Sequence, residues 1–266
     1  SQYSFSNFVL GMKTAGFISN KLINSQMTLD FAYTLYLLLN NDPATEKSQI
    51  KHYVAKWFVM STLTSRYIGS PESQMDFDIK RIREKGFLTF FKEVEEAELS
   101  DTFWNVGLVQ NLETQVINSP FFNVFLAAQI YEGNNALFSN GTKVGYLITL
   151  MGDVHHIFPK QYLRKNGYDE KRMYNQIANF TYLDTQVNKG ISDDAPNVYF
   201  KNAIKACENG KTLYGNIADT ATIRQNLQEN CIPESIVDMD YSNYPDFLAS
   251  RRKLMAKKIQ NYYKSL

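Results

Sequence analysis

The chain is poor in cysteine and histidine, and neither sign of charge prevails in it. Its 266 residues hold two cysteines and three histidines. Cys207 and Cys231 stand 24 positions apart with no CxxC pair. That count excludes a zinc knuckle built on cysteine. The two read as free thiols rather than a lone disulfide, which predicts a reducing, cytoplasmic compartment. Lys and Arg total 28 against 27 Asp and Glu, a net charge of +1. Such a balance argues against tight nucleic-acid binding by the whole surface and leaves room for a local basic patch. The longest apolar stretch, Phe31 to Leu39, is nine residues and includes Thr34, too short to span a bilayer. There is no repeat, low-complexity segment or P-loop. The opening Ser-Gln-Tyr-Ser-Phe carries neither Met nor a charged leader, so the chain reads as a portion of a longer protein.

What is present favours folding. Hydrophobic residues make up 44% and aromatic ones 14%, with 18 Phe and 17 Tyr, and the length suits one large or two ordinary domains. Residues 22–40 read as a helix closed by Asn40-Asn41-Asp42-Pro43. Residues 47–68 read as a second, with Ile50, Val54, Trp57, Phe58 and Leu63 at helical spacing. Ser70 and Pro71 open a third, its stripe Met75, Ile79 and Ile82 stopped at Lys85-Gly86. Further helices are expected over 87–99 and 119–130. Near Val144 the pattern changes. Residues 144–151 are apolar and β-rich, a polar and helical excursion covers 160–176, and Asn179 to Leu183 reads as a short strand. Asp184 can cap a helix that carries Asn188. From Asn197 the chain is helical again. In its last helix Leu248, Met255, Ile259, Tyr262 and Leu266 make an apolar face, with Arg251, Arg252, Lys253, Lys257, Lys258 and Lys264 placed largely on a solvated one.

Two of the three histidines are adjacent, His155 and His156. Neighbouring side chains of a regular strand face opposite ways. At a strand end, with Pro159 about to forbid pairing, the backbone can turn and bring both together. One imidazole can then ligate a metal ion while the other, neutral, takes a proton from water; an ordinary pKa of about 6.5 suits both tasks. Phosphodiester hydrolysis needs an activated water, neutralised phosphate charge and a stabilised leaving oxygen. A histidine base supplies the first and a metal ion the others. Asn188 offers a further ligand through its amide oxygen. Asp153 either ligates the ion directly or orients the site from behind its ligands. Lys160 and Lys189 flank the motif as phosphate contacts. His52 reads as a packed or surface residue, Trp57 and Phe58 as core, and Arg66 as an ion-pairing residue.

Asp153-Val154-His155-His156-Ile157-Phe158-Pro159, then Asn179, then Asn188-Lys189-Gly190-Ile191-Ser192-Asp193 nine positions on, resembles the HNH, or ββα-metal, nuclease signature. The resemblance implies His155 as a metal ligand, His156 as general base, Asn179 as organiser of the loop that orients the base, and Asn188 as second ligand. Within that superfamily the chain looks like the nuclease region of GmrSD-type, modification-dependent (type IV) restriction endonucleases. The likeness extends over Trp57-Phe58, Ser65 to Ser70, Gln74, Cys231-Ile232-Pro233-Glu234 and the closing 247–266 helix, although only 153–194 is chemically specific. It implies a mainly α fold, a helical bundle with an embedded ββα-metal motif. Its domains would be a helical one over 1–143 and an HNH nuclease domain over 144–266 with its core over 150–195. It implies a DNA endonuclease of phage defence using a divalent ion, Mg²⁺ favoured and Mn²⁺, Zn²⁺ or Ni²⁺ admitted. DNA would be a partner, along with an upstream NTP-using or DNA-sensing domain or subunit, and no membrane. Two alternatives stay open: an inactive adaptor that keeps the fold for binding, and an RNA-cutting defence effector.

Overall fold

Helix signals dominate the sequence, and helices dominate the structure. The computed structural model describes residues 2–150 and 154–266, and within them the fold is mainly α. The helices are α1 (Gln2–Thr14), α2 (Gln26–Asn41), α3 (Ile50–Leu63), α4 (Pro71–Lys85), α5 (Phe87–Glu98), α6 (Leu108–Asn111) and α7 (Pro120–Tyr131). They continue as α8 (Val144–Leu150), α9 (Lys160–Lys165), α10 (Lys171–Tyr174), α11 (Thr185–Ile191), α12 (Pro196–Glu208), α13 (Thr220–Glu229) and α14 (Tyr244–Ser265). The sheet found among the described residues is one pair of two-residue strands, β1 (His155–His156) and β2 (Phe180–Thr181). No helix among them is long and apolar enough to cross a membrane. The chain divides into two compact units: Ser1–Asn111, Asn118–Ala128 and Ile259–Leu266 form the first, Leu112–Ile117 and Gln129–Lys258 the second.

In the first unit α2 starts at Gln26 rather than 22, because Ser25 accepts from the Thr28 N–H and residues 20–22 form a separate 3₁₀ turn. α3 stops at Leu63 rather than running to 68. Ser65 takes a positive φ of 55° and the Arg66 N–H bonds back to the Ser61 carbonyl. This turn presents Arg66 and Tyr67 to Asp78, whose carboxylate is fully buried. Arg66 donates Nε and Nη2 to its two oxygens (2.8 and 2.5 Å), Tyr67 Oη donates at 2.7 Å and Gln74 Nε2 at 2.9 Å. Trp57 Nε1 donates to Tyr67 Oη at 2.9 Å. A buried charge is tolerated when paired and fully hydrogen-bonded, and Asp78 is. Burial, then the Asp78 charge, pushes the Tyr67 hydroxyl well above the ordinary tyrosine range. Trp57 and Phe58 are core. α4 opens at Pro71 and stops at Gly86, whose φ is 80°.

The long segment of the second unit begins at Gln129, upstream of the change of pattern at 144. Asn226 accepts from the Phe138 N–H and donates to the Ala136 carbonyl, and Asn230 donates to the Asn135 carbonyl. These bonds bind 135–138 to α13. Two expectations need correction here. The apolar, β-rich stretch at 144–151 is helical through Leu150, because Val144, Leu147 and Ile148 fall at i, i+3 and i+4 and are all buried. In the last helix Arg251 is not solvated: it is among the largest fully buried side chains. Its neighbours are committed too, Arg252 to Glu113 at 3.7 Å and Lys258 to Glu132. Both cysteines are unpaired and buried, and burial raises the Cys231 thiol to about 11.

A histidine cleft in the second unit

The cleft is assembled on a very short hairpin. β1 and β2 pair antiparallel, His155 opposite Thr181 and His156 opposite Phe180. Beyond His156 the chain is held by Asn179, whose side chain is fully buried. Asn179 Oδ1 accepts from the Phe158 N–H at 2.8 Å, and its Nδ2 donates to the Phe158 carbonyl at 3.1 Å and the Tyr174 carbonyl at 3.2 Å. The Ile157 N–H donates to the Asn179 carbonyl at 2.8 Å. Tyr199 Oη on α12 donates to the Ile157 carbonyl at 2.5 Å. The Phe158 ring packs on Phe247 and Tyr244, with centroids 4.8 and 5.1 Å apart. Beneath β2 lies Arg251. Its Nη1 donates to the Ala178 and Phe180 carbonyls at 2.9 and 2.6 Å, and its Nη2 to the Asn230 carbonyl at 3.1 Å. Burial lowers its pKa to about 10, which leaves it charged at neutral pH.

β1 ends at His156, and both histidines line one place. His155, His156, Lys160, Asn188, Lys189 and Asp193 are among the residues lining an open cleft of about 590 Å³. Asn188 is carried there by α11, which Asp184 caps by accepting from the Gln186 N–H at 2.8 Å, with Val187 and Ile191 turned inward. His156 sits edge-on to Phe180 (5.2 Å) and near Tyr174 (6.1 Å), and its Nε2 bonds to Asn175 Oδ1 at 2.8 Å. Burial lowers the His156 pKa, the Asn175 bond opposes that, and Lys160 and His155 add to the lowering. The ring is therefore neutral near pH 7. Lys160 Nζ lies over the Tyr174 ring at 5.3 Å. Asp193 pairs with Lys165 at 2.5 Å, which holds its carboxyl below the usual range. With that acid matched, Lys160 and Lys189, both exposed, leave the lining net positive among the described residues.

His155 and Asn188 both line the cleft, and an imidazole nitrogen with an amide oxygen is a donor pair of the kind a divalent ion accepts. Among the described residues no three His, Cys, Asp or Glu side chains cluster into a cage, and Asp153 lies outside the described residues. Of the candidates, His155, His156, Lys160, Asn188 and Lys189 thus share the cleft, and Asn179 stands behind it. His52 is elsewhere, in the first unit, bonded through Nδ1 to the Leu266 carbonyl. Sequence reading missed Asn175, Tyr199 and Arg251. Nothing in the residue types of 160–176 singles out Asn175, and Arg251 is hidden within a basic run.

No family model matches the chain, and no solved structure matches it. It is similar to the uncharacterized protein MJ0686 of Methanocaldococcus jannaschii, at 26% identity over 222 residues, which is 77% of this chain. The chain spans 36% of that relative's length.

Proposed function

We propose that this chain is a metal-dependent endonuclease of the HNH, or ββα-metal, type, with DNA as its substrate. The observation that carries the reading is the convergence of His155, His156 and Asn188 on one cleft edged by Lys160 and Lys189. Asn179 supports it by fastening both polar groups of Phe158, two residues after the base. In this reading His156, neutral by burial, accepts a proton from the water that attacks phosphorus. His155 and Asn188 would hold the divalent ion, Mg²⁺ for preference, which would supply charge neutralisation at the phosphate and at the leaving 3′-oxygen. Lys160 and Lys189 hold the flanking phosphates and set register without reading sequence. A role in phage restriction, coupled to an upstream NTP-using or DNA-sensing domain or subunit, rests on the resemblance described above.

Supercoiled plasmid and labelled RNA, incubated in parallel with Mg²⁺, Mn²⁺, Zn²⁺ or Ni²⁺, test the proposal. The wild type should nick the plasmid only when a divalent ion is present, and His156→Ala and Asn188→Ala should not, with folding unchanged by circular dichroism. Cutting of RNA alone would move the substrate to RNA. No cutting under any ion would leave an adaptor.

A further inference from the structure

We propose that Asn175 is a positioning residue that fixes the tautomer of His156, so that Nδ1 is the nitrogen that receives the proton; this rests on the nuclease reading above. A neutral imidazole has one N–H and one lone pair, and which nitrogen carries which is decided by the partner of the other. Here His156 Nε2 stands 2.8 Å from Asn175 Oδ1, an oxygen that can only accept. The hydrogen is therefore on Nε2 and the lone pair on Nδ1. An unfixed ring would divide its population between two tautomers, only one of which leaves Nδ1 able to accept a proton.

Asn175 is held firmly enough for this task. It closes α10, its N–H donating to the Lys171 carbonyl at 2.9 Å. The carbonyl of the preceding residue, Tyr174, accepts from Asn179 Nδ2 at 3.2 Å and from Tyr244 Oη at 3.4 Å. Tyr244 Oη also bonds the Met173 carbonyl at 3.0 Å. Asn179 thus grips both sides of the pair: Phe158, two residues after His156, and Tyr174, one before Asn175. Base and orienter are fixed to each other by one buried amide.

The chain has only three histidines, so ¹⁵N-imidazole NMR at pH 8.5 resolves each ring, assigned by single substitution. The wild type should show His156 as the Nε2–H tautomer. Asn175→Ala should show a mixture, and Asn175→Asp, which keeps an acceptor oxygen, should restore the single form. In plasmid nicking with Mg²⁺, Asn175→Ala should lose at least about tenfold in kcat with KM unchanged, and Asn175→Asp should recover most of it. An Nδ1–H tautomer in the wild type, or an Asn175→Ala ring still wholly Nε2–H, would overturn the proposal. A protein that cuts nothing yet shows the expected tautomers would sink the nuclease reading and leave Asn175 as the fixer of His156.

Discussion

Replacing Asn179 by alanine removes three hydrogen bonds from a side chain with no exposure. The Phe158 N–H loses its acceptor and stays buried, which costs about 1–3 kcal/mol. The Phe158 carbonyl loses its side-chain donor, while the Tyr174 carbonyl keeps Tyr244 Oη at 3.4 Å. Together with a small cavity the expected loss is about 3 kcal/mol, a large share of the 5–15 kcal/mol typical of a folded domain. Trp57 and Trp104 both belong to the first unit, so tryptophan fluorescence is the wrong probe. Urea unfolding by far-UV circular dichroism, with amide exchange over residues 155–183, reads the right region. Asn179→Asp adds a signed test. Its carboxylate would still accept from Phe158, but its second oxygen would face two carbonyl oxygens unless protonated. Its folded pKa should then lie above the usual value of about 3.9, so stability is fully present below about pH 4 and is lost as pH rises. A cost below about 1 kcal/mol for the alanine, with exchange unchanged, would refute the claim that this side chain holds the turn after His156.

Three further outcomes follow from other parts of the molecule. Asp78→Asn should cost the first unit about 1–3 kcal/mol, since Arg66 loses its 2.5 Å carboxylate partner and keeps only Glu98, at 3.7 Å; urea unfolding monitored by tryptophan emission checks this, and a loss under about 0.5 kcal/mol would contradict it. The Cys231 thiol, raised by burial to about 11 from an ordinary 9.0, contributes about 2–3 kcal/mol that is fully present below pH 9 and lost as pH rises toward 11. Stability curves of Cys231→Ala should fall less steeply over that window, and identical slopes would count against the burial argument. Lys160→Ala and Lys189→Ala should each weaken binding to duplex DNA in Ca²⁺ and lower the slope of log K against log salt by about one. Fluorescence anisotropy across a salt series measures this, and unchanged slopes would remove them as phosphate contacts.

Much of the frame could be read from local signals. Ser70-Pro71 and Gly86 bracket α4, the spacing of Ile50, Val54, Trp57 and Phe58 marks α3, and Asp184 caps the helix bearing Asn188. Composition misled where periodicity would have served: 144–150 is rich in β-formers, yet its buried residues keep helical spacing. The strand expected over 179–183 shrinks to Phe180–Thr181, because Ile177–Asn179 winds into a 3₁₀ turn whose neighbouring carbonyls are taken by Arg251 instead of a ladder. What surrounds the histidines was illegible for a different reason. Arg251 reaches β2 across 71 positions and Tyr199 reaches Ile157 across 42. Tertiary contacts of that kind leave no periodic trace in a chain, and a buried arginine looks like its solvated neighbours.

The most direct measurement is anomalous diffraction from crystals soaked in Mn²⁺. A manganese peak is expected in the cleft, about 2.1 Å from a His155 ring nitrogen and from Asn188 Oδ1, with His156 left uncoordinated. A protein that cleaves DNA while its ion binds elsewhere, or an ion seated on His156 itself, would contradict it.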